Sequence, residues 1–255
     1  MIRRNRREFL ADVGRGMLVA SVGWTAAVEM GLTSARADEP GGRLTFGPIE
    51  PLAGLMQDTP AEKLLPLLVA RLKQGVSLRD LVAAGALANV RTFGGEDYVG
   101  FHTMMALAPA YAMSQEMPRG KEALPVLKVL YRNTSRMQAK GGSGAEVLRP
   151  VVADGSRSAD VRELADAVRQ AVHARDLERA ERTYAAVQER PAEDAFNAIL
   201  PTVFDATEVH RVVMPYRAWD LLPIVGREHA HFMLRQSVHY CVTMERNERS
   251  VKHYA

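Results

Sequence analysis

The sequence predicts an all-α fold, a multi-helix bundle or a set of orthogonal helical hairpins forming one compact domain after an N-terminal signal segment. Three observations predict it. The strict apolar–polar alternation that a half-buried strand needs is scarce, Leu, Ala and Val recur at three- and four-residue spacing, and capping residues, Gly and Pro punctuate those runs. The single cysteine among 255 residues, Cys241, excludes an intrachain disulfide framework, so stability has to come from packing. Cys241 itself reads as a buried helical residue rather than a nucleophile.

Residues 1–37 have a basic head, a weakly apolar middle and a small-residue end, the layout of a targeting segment. Within it Asn5-Arg6-Arg7-Glu8-Phe9-Leu10 resembles the twin-arginine (Tat) export motif, and Ala35-Arg36-Ala37 is an A-x-A cleavage signal that makes Asp38 the first mature residue. The resemblance implies recognition of residues 1–37 by the Tat machinery, a periplasmic or other extracytoplasmic destination, and export of an already folded protein. Asp12, Arg15 and Glu29 make the segment a poor permanent membrane span. With six of the 33 basic and three of the 30 acidic residues lying in 1–37, the remainder carries 27 of each and a formal charge of zero. The basic precursor therefore gives no reason to expect a nucleic-acid partner, and no integral membrane domain is expected in the mature chain.

Residues 38–59 are rich in Gly and Pro and predict an extended lead-in to a helical domain spanning 60–255. Thr59-Pro60 predicts a helix start, with Leu64, Leu65, Leu68 and Leu72 keeping helical spacing up to Gly75. Ser77 to Asp80 has the form of a capping box ahead of Leu81, Ala84, Leu87 and Ala88. A helix bearing His102 is expected from Glu96 to Met117, kinked at Pro109, and another from Gly120 to Met137. Gly141-Gly142-Ser143-Gly144 fits neither a P-loop nor a dinucleotide fingerprint and reads as a flexible connection, the best candidate boundary in the chain. Leu164, Val168, Val172, Leu177, Ala180 and Tyr184 predict a helical hairpin over 158–189; one helix is expected from Pro191 to about Phe204, and Thr207 opens the one carrying His210.

The richest stretch in candidate chemistry is Leu222 to Tyr240, with three of the seven histidines. On a continuous helix His229 and His231 point almost oppositely, and His229 and His239 are separated by roughly 15 Å of rise. Neither pair can serve one small centre, so a site has to recruit from other helices. Neutral imidazole is the commonest protein metal ligand, which makes His102, His210 and His229, on three different predicted helices, the first candidate set. Glu228 and His231 are the second, because their spacing matches one ligand pair of di-iron bundles, although such bundles need it twice. His102 and Met105 lie close on a helix, a spacing compatible with a copper or haem ligand set, whereas no C-x-x-C-H motif for covalent haem occurs. The competing explanation for Met at helical spacing is core filling.

Gly85-Ala86-Leu87-Ala88-Asn89-Val90-Arg91, Val99-Gly100-Phe101-His102, and Glu208-Val209-His210 leading through Tyr216-Arg217-Ala218 to Gly226-Arg227-Glu228-His229-Ala230 together resemble a group of twin-arginine-exported, all-helical bacterial proteins that carries no established activity. The matching histidines are His102, His210 and His229, and His231 stands where that group tends to have an acid. A more remote likeness is to questin oxidase-like helical proteins, which would imply an oxygenase acting on an aromatic or ketone substrate. Two readings follow. One is a metal- or haem-dependent redox protein, an oxidoreductase, with a His-lined core site; the other is a non-enzymatic binding or scaffold protein whose histidines are satisfied inside the bundle.

Overall fold

The computed structural model describes residues 42–154 and 160–247. The segment expected to be a signal, 1–37, lies outside them. The fold is all-α: among the described residues there is no strand, and no helix is long and apolar enough to cross a membrane.

In chain order the helices are α1 Glu50–Asp58, α2 Ala61–Lys73, α3 Leu78–Phe93, α4 Tyr98–Met105, α5 Leu107–Glu116, α6 Leu124–Ala139, α7 Val161–His173, α8 Leu177–Tyr184, α9 Ala192–Asn197, α10 Leu200–Phe204, α11 Val209–Val225 and α12 Ala230–Arg246. Two of them, α3 and α12, are buried on nearly every side, as expected of helices surrounded by others. Around α3 pack α1, α4, α5, α6 and α11; around α12 pack α7, α8, α9 and α11. Because α3 and α12 also touch each other, the apolar side chains merge into one core.

Local chemistry sets most helix starts. Ser77 and Asp80 form the expected capping box at α3, and Asp176 caps α8 through the Arg179 N–H. Asp97 caps α4 through Gly100 N–H and simultaneously receives Arg136 of α6 at 2.8 and 2.6 Å. The Arg136 guanidinium holds the Asp97 carboxyl below its usual range against the opposing effect of burial.

Several expectations are corrected. The lead-in is not extended as far as Thr59: α1 forms within it, because Pro51 suits a first helical turn and Ala53, Met56 and Gln57 become buried. The Gly-rich run, expected to be a connection, forms a turn packed against α1. Gly142 to Ala145 form a 3-10 turn, and a Cβ on Gly142 would come 2.9 Å from the Gln57 carbonyl, so the glycine allows a close backbone approach. The helix expected over 96–117 divides at Ala106, leaving Pro109 in the first turns of α5. The helix expected from Pro191 divides too, between Asn197 and Leu200 and just ahead of Pro201. Finally, Leu222 to Tyr240 is not one helix. Gly226 adopts φ 104° and ends α11, a 3-10 turn covers Arg227–His229, and α12 starts afresh at Ala230.

At the centre of the first half sits the buried guanidinium of Arg91. It donates to the Leu44 carbonyl at 2.7 Å, to Glu50 at 2.7 and 2.8 Å, and to Gln57, while its Nε lies 3.1 Å from Glu146. Gln57 in turn donates to Thr92 at 2.8 Å and to Glu146 at 3.1 Å. Removing one partner from such a network leaves buried charge uncompensated, so Arg91→Ala is expected to lower the unfolding free energy by about 3–5 kcal/mol. A urea titration checks this, and a loss below about 1 kcal/mol, the range of surface ion pairs, would remove Arg91 from its central position.

Candidate functional site

His102 lies on α4, and His210 in the first turn of α11. Contact between these two helices brings the imidazoles together, with ring centres 5.0 Å apart and planes at 72°. Tyr98 packs against both rings at 4.4 and 5.6 Å, and Phe101 does so at 4.8 and 5.3 Å. Tyr240 reaches the group from α12, 5.6 Å from Phe101 and 6.2 Å from His210.

Each ring is oriented by an oxygen acceptor. His102 Nδ1 is 2.6 Å from the Tyr98 carbonyl, one turn back along α4. His210 Nδ1 is 2.7 Å from Glu208 Oε1. These contacts assign the Nδ1–H tautomer to a neutral ring and leave Nε2 as its lone-pair atom. Neither Nε2 makes a hydrogen bond among the described residues.

Glu208 does three things. Its Oε2 caps α11 through the N–H groups of His210 and Arg211, at 3.0 and 3.1 Å, and accepts the Tyr240 hydroxyl at 2.9 Å, while Oε1 holds the imidazole. Burial works against its charge, but the N–H and side chain of His210, the N–H of Arg211 and the Tyr240 hydroxyl together hold the carboxyl below its usual range. Tyr240 is pushed upward, first by burial and then by Glu208, so its phenol keeps the proton that Glu208 accepts.

His229 does not join this group. Its ring contacts Phe46 at 5.8 Å and Phe232 at 6.4 Å. The physical reason is the position of α11, whose 17 residues span roughly 25 Å: His210 is at its start and His229 lies beyond its end. The second candidate pair also fails to form a centre. Glu228 precedes α12 and is exposed, which breaks the helical spacing, whereas His231 is buried and stacks on Tyr184 at 5.3 Å. Among the described residues no three His, Cys, Asp or Glu are grouped to hold a metal ion, so the triad expected from the sequence is reduced to the pair His102 and His210.

His229, His231 and His239 fall into two electrostatic classes. His231 has both ring nitrogens buried without a hydrogen-bond partner, and burial, reinforced by Arg235, drives its pKa well below the ordinary value. Burial also lowers His229, with Glu228 opposing. His239 is the reverse case. Burial disfavours its charge, yet Glu181 at 2.6 Å and Glu96 at 3.1 Å raise its pKa despite that burial and despite Arg235 nearby. An open surface depression of about 570 Å³ lies over Arg175, Asp176, Glu178, Glu181 and Arg246, and none of the described histidines lines it. The Cys241 thiol is pushed up to about 12 by burial, which leaves it unreactive as a nucleophile.

Sequence reasoning missed Tyr98 and Tyr240 as members of the histidine group. The i to i+4 spacing of Tyr98 and His102 was a usable signal; nothing local connects Tyr240 to Glu208, 32 residues earlier. Comparison with known proteins finds no family model, no curated protein and no solved structure that matches this chain.

Opposite pKa shifts predict a stability maximum. His239, raised above the ordinary 6.5, contributes stability that is full below pH 6.5 and is lost as pH climbs through its folded pKa. His229 and His231, lowered below 6.5, contribute stability that is full above that pH and falls as the pH drops toward their folded values. The unfolding temperature is therefore expected to peak near pH 6.5, the value these groups share when unfolded. His239→Gln should flatten the alkaline side and keep the acid side. Melting curves from about pH 5 to 9, the range in which imidazoles titrate, check this, and an alkaline limb identical in parent and variant would rule out the His239 contribution.

Proposed function

We propose that His102 and His210 bind a transition-metal ion through their Nε2 atoms, and that the exported protein uses it in redox chemistry. The observation that carries this reading is how the rings are held: each gives Nδ1 to an oxygen acceptor, a carbonyl in one case and a carboxylate in the other, as metal-binding histidines characteristically do. Spacing supports it. Two imidazoles bound to one tetrahedral ion at about 2 Å per nitrogen have ring centres roughly 5 Å apart, and these are 5.0 Å apart. Bis-axial haem ligation would put the rings on opposite sides of the iron, roughly 6 Å between centres. A small ion therefore fits better than a haem held by both histidines.

Redox use draws support from the phenols beside the pair. Tyr98 lies against the His102 ring, and the Tyr240 hydroxyl donates to Glu208, the carboxylate that holds His210. The twin-arginine-like segment adds to this, because that export route accepts a protein already loaded with its ion.

A second reading has its own observation. The T-shaped contact of His102 and His210 is also an ordinary packing geometry for aromatic rings. On that reading the protein is a helical binding or scaffold module with structural histidines, and an oxygenase of the questin oxidase-like kind has no further support.

Elemental analysis of protein purified from its own host, followed by titration with Cu²⁺ and Zn²⁺, separates the two. Stoichiometric uptake that disappears in His102→Ala and His210→Ala, with Glu208→Gln weakening affinity about tenfold or more, is expected for a metal site. No uptake, or uptake indifferent to the histidine variants, would leave the scaffold reading.

A further inference from the structure

We propose that the Met105 thioether is the third ligand of the ion held by His102 and His210, and that the site is thereby selective for monovalent copper. This rests on the metal reading above. The first observation is the register of α4. At 100° per residue, the Tyr98, Phe101 and His102 rings that His210 touches span about 100° of the helix surface, and Met105 falls inside that arc. It stands three residues after His102, a spacing at which Cβ atoms are about 5–6 Å apart. Long helical side chains lean toward the N-terminus, so the Met105 side chain covers the turn that carries His102. The two residues also share their setting. Both are partly buried, whereas Gly100, Thr103 and Met104 turn the opposite face of α4 into the core.

The second observation separates Met105 from the methionines that fill space. Met56, Met104, Met137, Met214 and Met233 are fully buried, the setting in which a flexible thioether serves as core filler. Met105 instead lies at the edge of the core, on the side of α4 where His102 and, across from it, His210 retain some exposure. A thioether beside two imidazoles with free Nε2 atoms is a donor set in its own right. Its chemistry decides the ion. Thioether sulfur is a soft donor and favours monovalent copper, while imidazole serves copper and zinc alike. Removing the sulfur should therefore change affinity for one of these ions and not for the other.

The test is a competition titration of the full protein, freed of metal by a chelator, with Cu⁺ kept reduced by ascorbate and buffered by bicinchoninate. A titration with Zn²⁺ and an X-ray absorption spectrum of the copper-loaded form accompany it. The expected result is one Cu⁺ per chain with a sulfur in its shell, lost in His102→Ala and in His210→Ala. Met105→Leu conserves volume and folding. It should remove the sulfur signal and weaken Cu⁺ binding at least about tenfold, since losing a direct ligand costs no less than losing a hydrogen-bond partner of one. Zn²⁺ affinity should stay unchanged. Copper held by the two histidines with no sulfur in its shell, and with Met105→Leu indifferent, would overturn the thioether and leave the histidine pair standing. An equal loss of Cu⁺ and Zn²⁺ in Met105→Leu would mark a packing role and overturn the thioether likewise. No uptake of either ion, or uptake indifferent to both histidine variants, would overturn the thioether and the histidine pair together.

Discussion

A single buried cation, Arg91, constrains the first half of the molecule more than any apolar contact. Apolar side chains can exchange neighbours at small cost, but a desolvated guanidinium has to be surrounded by acceptors in fixed directions. Here those acceptors are Leu44, Glu50, Gln57 and Glu146. They come from the lead-in, from α1 and from the segment after α6, so one requirement draws three separate pieces of chain onto α3. The Arg91 carbonyl adds to this by accepting Val147 N and Leu148 N, both at 3.1 Å. Phe46 covers the guanidinium from 4.9 Å and carries His229 on its edge, which ties the turn before α12 to the same centre.

The same electrostatic logic recurs, with histidine in place of arginine, where the two halves meet. His239 on α12 is held between Glu96, from the turn after α3, and Glu181, from α8. Each contact links elements far apart in sequence, and both carboxylates favour the charged ring. His231, eight residues earlier on the same helix, stacks on Tyr184, packs against Phe232, lies in the positive field of Arg235, and is kept neutral. Residue type alone did not decide these fates; surroundings did.

What distinguishes His102 and His210 is that their orientation and their accessibility are supplied by different groups. The Tyr98 carbonyl and Glu208 fix the rings through Nδ1, while partial exposure leaves the Nε2 side open. Glu208 couples that orientation to helix formation, because the same carboxylate caps α11 and holds Tyr240. The site is therefore placed by the start of a helix, a rigid feature, and not by a loop.

The sequence by itself determined the all-α class, the capping box at Ser77, the hairpin of α7 and α8, and the helix that carries His210, because each rests on spacing or capping within one or two turns. It also named His102 and His210, as two members of a three-histidine set with His229. Tertiary structure alone decided the rest. Helix α1 exists because Met56 and Gln57 find a surface to bury against, and the Gly141 to Gly144 run is a packed turn because Gln57 approaches it. His229 left the expected triad because it lies beyond the end of α11, whose length separates it from His210, and the chain reverses at Gly226, a backbone event that a helical projection of Leu222 to Tyr240 does not contain. Tyr240 joined the site for the complementary reason: after that reversal, α12 runs back along α11 and returns to the end where Glu208 waits. Short-range chemistry is written in residue spacing; convergence of distant side chains is a property of how buried charge and apolar surface are jointly satisfied.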